Sequence, residues 1–232
     1  MKTIQHAERL ARYVSEHRLD AIFDTASIGM MTLLAYEKGE AVCSPGDQLN
    51  QLFLLVKGKI KVYTTLPNGK SVLLRFNEPL AVIGDMEMMT GYPVRCMVES
   101  VGVSHFIAIN AEALRDTAIR DPRFLTFIVK QLSYKLYTVS NASSLNLLYP
   151  VENRLASYLV SIMPVDPLSP SIDELKTEKL TEVAELLGTS YRHLNRVITQ
   201  LSADGIIERK RGAIFIRDAK RLLELASGNL YR

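Results

Sequence analysis

Tryptophan is absent from this 232-residue chain and cysteine occurs only twice, at Cys43 and Cys96. Two thiols are too few for a disulfide scaffold, and they lack metal-ligand spacing, so a reducing, cytoplasmic setting is expected. Long hydrophobic runs are missing too. The stretch Ile28–Tyr36 is less than half of the ~20 residues a membrane-spanning helix needs, so no membrane partner is expected. The opening residues Met1–Arg9 show no apolar core of a signal peptide. Charge of one sign is scarce: 28 basic against 25 acidic residues leave a net +3. That balance excludes an acidic solvating chain and a strongly basic tail, but a local basic patch can hide inside it. His6, His17, His105 and His193 have no ligand spacing, and no Ser/His/Asp grouping or nucleotide-binding glycine loop occurs. No metal site and no enzyme activity are expected.

What is present is 47% apolar residues, enough to bury one large or two small domains. Residues 1–27 are helix-like, with Leu10, Ala11, Val14, Leu19, Ile22 and Phe23 at three- and four-residue steps. From 33 to 110 the texture turns to short strand-like runs. Leu52–Val56 precedes Ile60–Thr64, which alternates with period two, and Leu66-Pro67-Asn68-Gly69 marks a hairpin turn before a returning strand Ser71–Phe76. Many short strands at near-regular spacing predict a barrel or sandwich. Asp121-Pro122 then signals a helix start, and Leu125, Ile128, Leu132, Leu136 and Val139 form a stripe. The stripe suits either a seam with another helix or packing on its own domain. Pro164–Ser171, with three prolines, reads as a loop or linker.

Thr181 is placed to cap a short helix, 182–187, that Gly188 stops, and Ser190 to cap a second, Tyr191–Leu201. Ala184, Gly188, Leu194 and Val197 carry helix-turn-helix spacing. Ile206–Arg209 and Ala213–Arg217, joined across Lys210-Arg211-Gly212, would complete a winged helix. From Gly188 to Arg217 six basic and two acidic residues give +4, while the rest of the chain sums to −1. Tyr191, Arg192, Asn195 and Arg196 suit base edges and phosphates, arginine pairing with guanine and asparagine with adenine. A basic wing facing a protein partner is the other reading.

The two halves in this order resemble the superfamily of the cyclic-AMP receptor protein and the fumarate–nitrate regulator. Lys38-Gly39-Glu40, Pro45-Gly46-Asp47, Val56-Lys57-Gly58, Ile83-Gly84-Asp85 and Gly188–Arg196 carry the likeness. It implies an α+β fold: a cyclic-nucleotide-binding-like β-roll (a double-stranded β-helix), a long dimerisation helix at about 121–148 and a C-terminal winged helix-turn-helix. The domains would be 1–148 and 149–232. It also implies a homodimer on a two-fold symmetric double-stranded DNA operator, with RNA polymerase a further partner if the output is activation. In the family a Gly-Glu pair and an Arg-Ser pair hold the cyclic phosphate and ribose. Here the matching residues are Gly84, Asp85, Arg95 and Cys96, with Ser140 at a base-contacting position of the long helix. Arg95 stands at the arginine position, which favours an anionic ligand, whereas Asp85, Cys96 and the acidic Glu87 depart from that pattern, so another small effector, cyclic AMP, a redox signal or a vestigial pocket all stay open. Arg95 could instead form an ion pair with Asp85 or Glu87. A four-iron cluster needs four thiolates, and haem has no support either. The DNA-contacting set carried over is Thr181, Ser190, Tyr191, Arg192, Asn195, Arg196, Lys210 and Arg211, with Tyr191 and Arg192 replacing an Arg-Glu pair.

Overall fold

The computed structural model describes residues 2–4, 6–67, 69–163, 180–210, 213–226 and 231, with Asp116 and Thr117 described by backbone alone. The order opens with β1 (Lys2–Thr3), α1 (Ala7–Glu16), a 3-10 turn (Leu19–Ala21), α2 (Thr25–Gly29), β2 (Thr32–Tyr36) and β3 (Ala41–Cys43). It continues through β4 (Gln51–Lys57), β5 (Ile60–Thr65), β6 (Ser71–Asn77), β7 (Val82–Ile83), α3 (Asp85–Thr90), β8 (Met97–Ser100), β9 (Ser104–Asn110) and α4 (Ala111–Thr117). Helices α5 (Pro122–Leu148), α6 (Val151–Ile162), α7 (Leu180–Leu186) and α8 (Tyr191–Ala203) follow, then β10 (Ile207–Lys210), β11 (Ala213–Ile216) and α9 (Ala219–Ala226). Two sheets, of order β1-β2-β9-β4-β7 and β3-β8-β5-β6, make the roll, and β10-β11 is a separate hairpin.

The chain forms two compact units, residues 1–62 with 77–137, and residues 63–76 with 138–232. In the first, Leu52 through Val56 are five consecutive buried residues of β4, because both faces of this strand meet apolar neighbours. Val56, Leu54 and Leu52 share a core with Ile107 and Ile109 of β9, Tyr13 of α1, and Phe124 and Ile128 of α5. The Phe23 and Phe124 rings lie 5.5 Å apart within it. The first residues are strand rather than helix: Lys2 and Thr3 pair with Ala35 and Leu34, an edge-strand pairing that apolar spacing cannot register.

Helix α5 begins where Asp121-Pro122 signalled it, with Asp121 Oδ1 accepting from the Arg123 N–H at 2.8 Å. The stripe expected along it needs correction. Ile128 is buried in the core of the first unit, whereas Val129 and Leu136 are 59% and 74% exposed. Leu125, Leu132 and Val139 are half-buried between them. A line of apolar residues with exposed or half-buried side chains therefore runs 125, 129, 132, 136, 139, with the alternating four- and three-residue steps of a helix-pairing seam.

In the second unit, Gly69 at the tip of the β5–β6 hairpin takes φ +79°, and its N–H donates to Leu66 O. Asn68 of this turn, like the proline-rich 164–171, lies outside the described residues. Phe76 packs on Tyr158 of α6 with ring centroids 5.5 Å apart, and its N–H donates to Tyr231 O at 2.5 Å. Tyr231 is itself buried, and its N–H and hydroxyl donate to Ser161 Oγ and Asn146 Oδ1.

Candidate nucleic-acid interface and effector pocket

The helix-turn-helix is built from α7, a tight turn and α8. Gly188 takes φ +62°, a left-handed conformation glycine adopts without strain, and the Thr189 N–H closes the turn on Ala184 O at 2.9 Å. Beneath it Arg154 of α6, 9% exposed, donates to the Leu187 carbonyl, satisfying a group the end of α7 leaves unpaired. Ser190 caps α8 as expected, its Oγ accepting from the His193 N–H at 3.2 Å. Thr181 does not cap α7. The helix already includes Leu180, so Thr181 sits exposed in its first turn.

Helix α8 turns Leu194, Ile198 and Leu201 inward, while Val197 is only half-buried. The opposite face presents Tyr191, 47% exposed, with Arg192 and Arg196, both exposed. Asn195 is half-buried, and its Oδ1 accepts a hydrogen bond from Arg209 Nη1 of β10 at 2.8 Å. The hairpin spans 207–210 and 213–216, one residue later at its start than the pattern indicated, and closes on the Lys210–Ala213 pair. Lys210 is exposed, and Arg211 lies outside the described residues. Arg217 is neutralised by Glu208, whose carboxyl the guanidinium holds below its ordinary range. Among the described residues, the positive charge of this face therefore rests on Arg192, Arg196, Arg209 and Lys210.

In the first unit, Gly84 takes φ +95°, and a Cβ there would lie 2.7 Å from the Gln51 carbonyl oxygen, so only glycine fits at the start of α3. Asp85 is 1% exposed; its Oδ1 accepts from the Met86 N–H at 3.0 Å and from the Lys135 ammonium, and its Oδ2 is buried with no hydrogen bond. The ion pair considered for Arg95 with Asp85 or Glu87 is not formed among the described residues: Arg95 is exposed, and Lys135 of α5 takes Asp85 instead. Lys135 carried a signal that periodicity alone obscured. It lies seven residues beyond core-facing Ile128, so a lysine stands on an otherwise inward face.

Cys43, buried, and Cys96, half-buried, are thiols not joined in a disulfide. Cys43 pairs across β3–β8 with Val98, two residues beyond Cys96. Burial, reinforced by Glu87 and Asp47, pushes the Cys43 thiol up to about 12. Ser140 belongs to the second unit, exposed on α5. Among the described residues no three His, Cys, Asp or Glu side chains cluster as metal ligands, and no helix is long and apolar enough to cross a membrane.

A two-sheet roll followed by a long helix and a winged helix-turn-helix defines a class. The cyclic nucleotide-binding domain family matches residues 33–121, and the Crp-like helix-turn-helix domain family matches residues 153–225. The chain belongs to the CRP/FNR superfamily, and is a transcriptional regulator with a helix-turn-helix DNA-binding domain. Among its relatives, "Regulatory protein YeiL" of Escherichia coli O157:H7 is 31% identical over 185 residues, covering 80% of this chain and 81% of that protein. The "CRP-like cAMP-activated global transcriptional regulator" of Mycobacterium tuberculosis is 21% identical over 193 residues, covering 82% and 86%. The crystal structure of the CRP/FNR family regulator TTHA1359 from Thermus thermophilus shares the fold with a TM-score of 0.68 at 21% identity, covering 85% and 99%.

Proposed function

We propose that this chain is a cytoplasmic homodimer that binds a two-fold symmetric DNA operator sequence-specifically and answers a signal through its β-roll. One observation carries the reading: α8 buries Leu194, Ile198 and Leu201 while presenting Tyr191, Arg192 and Arg196 beside the wing cations Arg209 and Lys210. Arginine on such a face donates to guanine edges and phosphates, and exposed Thr181 suits a phosphate contact. The 125–129–132–136–139 line of α5 supplies the dimer seam, which would set two recognition helices one DNA turn apart. The functional boundary is placed where α5 ends, giving a sensing domain 1–148 and a DNA-binding domain 149–232. A signal that alters the packing of α5 would re-pose the recognition helices, a coupling between two sites rather than a reaction. If the output is activation, RNA polymerase is the further partner.

For the signal, Gly84, Asp85, Arg95 and Cys96 of the first unit are the candidate contacts, with Ser140 of the second unit a separate candidate, and exposed Arg95 supplies a cation for a small anionic effector. The Asp85–Lys135 ion pair favours a second reading, a regulator that needs no ligand, because the carboxylate that would accept a ligand hydroxyl already holds an ammonium. The relative from M. tuberculosis is described as cAMP-activated; here Lys135 already holds Asp85 Oδ1, which leaves only Oδ2 to accept from a ligand hydroxyl.

The test is selection of operator sequences from random duplex DNA, with and without candidate effectors and reductant, followed by binding of Arg192→Ala and Arg196→Ala. Each substitution should lower affinity for the selected site about tenfold. Unchanged affinity would instead support a regulatory subunit acting through protein contacts. Selection that no ligand or reductant alters would leave the ligand-free reading standing.

A further inference from the structure

Two residues from different elements meet on the face assigned to DNA. Asn195 of α8 is half-buried next to the exposed Arg196, and Arg209 reaches across from β10 to donate from Nη1 to Asn195 Oδ1 at 2.8 Å. An asparagine that reads adenine uses both ends of its amide: Oδ1 accepts from the N6 amino group, and Nδ2 donates to N7. Here the accepting end is already engaged. One lone pair is taken, and a full positive charge stands beside the other, where an approaching base amino hydrogen would meet charge of its own sign. The described residues provide no acceptor for Nδ2, and the guanidinium keeps its other N–H groups. Side chains from helix and wing thus combine into a surface of donors. The base edge that matches it carries acceptors alone in the major groove, as guanine does with O6 and N7. Adenine and cytosine each place an amino donor there.

We infer that Arg209 is a specificity-determining positioning residue that converts Asn195 from a reader of adenine into a donor-only reader of guanine. This rests on the operator-binding reading above. It adds what neither element specifies alone: the base preferred at one half-site position is set by a wing residue acting on the recognition helix. Because Asn195 and Arg209 are fourteen positions apart, no local pattern in either segment announces the pair.

The experiment is selection from random duplex DNA with the full-length protein and four variants, scored position by position. Asn195→Ala identifies the half-site position by the preference it erases. At that position the wild type should favour guanine over adenine about fivefold, the size of one net hydrogen bond. Arg209→Ala should reverse the preference towards adenine while leaving the other positions as they were. Arg209→Lys, which keeps a cationic donor for Oδ1, should retain guanine. Asn195→Asp, which keeps the shape but loses the Nδ2 donor, should lose guanine. Adenine in the wild-type site would overturn the inference, as would an Asn195→Ala variant that erases no preference. An Arg209→Ala variant that weakens binding to all sequences equally would also overturn it, showing a phosphate contact only. Enrichment of no sequence by the wild type would refute operator binding itself, an outcome distinct from all of these.

Discussion

Replacing Lys135 by methionine isolates the buried ion pair between α3 and α5. Asp85 is 1% exposed, and the Lys135 side chain is 11% exposed, so the pair sits in an interior where water screens little. Methionine retains most of the apolar stem and removes the ammonium. The Asp85 carboxylate would then keep only the Met86 N–H on Oδ1, with Oδ2 still unpartnered. An uncompensated buried charge of this kind costs about 3–5 kcal/mol, a large share of the ~5–15 kcal/mol that holds a typical domain together. At ~2–4 °C per kcal/mol for a chain of this size, Tm should fall by roughly 10 °C. Adding Asp85→Asn removes the stranded charge, and the double variant should recover to within about 2 kcal/mol of the wild type. Far-ultraviolet circular dichroism follows both transitions in a chain that has no tryptophan. A Lys135→Met protein within about 1 kcal/mol of the wild type would refute the burial argument, and a double variant no more stable than the single would refute the coupling.

Three further outcomes follow from the same structure. Leu136→Glu puts a charge on a residue that is 74% exposed, so folding should be unaffected while sedimentation shows monomers at micromolar concentration; an unchanged dimer mass would count against the α5 seam. His105 shares a buried hydrogen bond with the Tyr13 hydroxyl, and burial, aided by Lys57, Arg9 and Arg12, holds its pKa below the ordinary 6.5. The unfolded chain therefore takes up a proton the folded one resists, so stability present above pH 6.5 is lost as pH falls below it, and His105→Gln should flatten that part of the unfolding profile. The Cys43 thiol, buried and pushed up to about 12, should resist alkylation at mildly alkaline pH until the protein is unfolded, while Cys96 reacts first; mass spectrometry showing equal native rates would contradict this.

Features that depend on neighbours along the chain were legible in the sequence. The Ser190 cap, the Gly188 turn, the start of α5 at Pro122 and the β10–β11 hairpin all rest on residues within ten positions of one another. Capping, turn propensity and hydrophobic periodicity act over that range, so their signals survive without a fold. The exceptions are themselves informative. Thr181 offers the side chain of a cap but lies inside α7, since the hydroxyl alone does not determine where a helix begins. On α5 Ile128 and Val129 are both apolar neighbours, and only the surface against which the helix packs decided that Ile128 goes inward.

The sequence by itself determined the class of protein: a strand-rich β-roll module, a long helix, and a basic winged helix that holds a +4 excess inside a nearly neutral chain. Only the tertiary structure decided which side chains meet. Lys135 takes Asp85 across fifty positions, Arg154 supports the α7–α8 turn from thirty-three positions away, and Arg209 claims the acceptor of Asn195. The physical reason is that such contacts gain strength from exclusion of water and precise approach, conditions that exist only once the core has formed. Periodicity records which face of an element is apolar, but the partner of a buried charge or a bound amide is set by the fold around it.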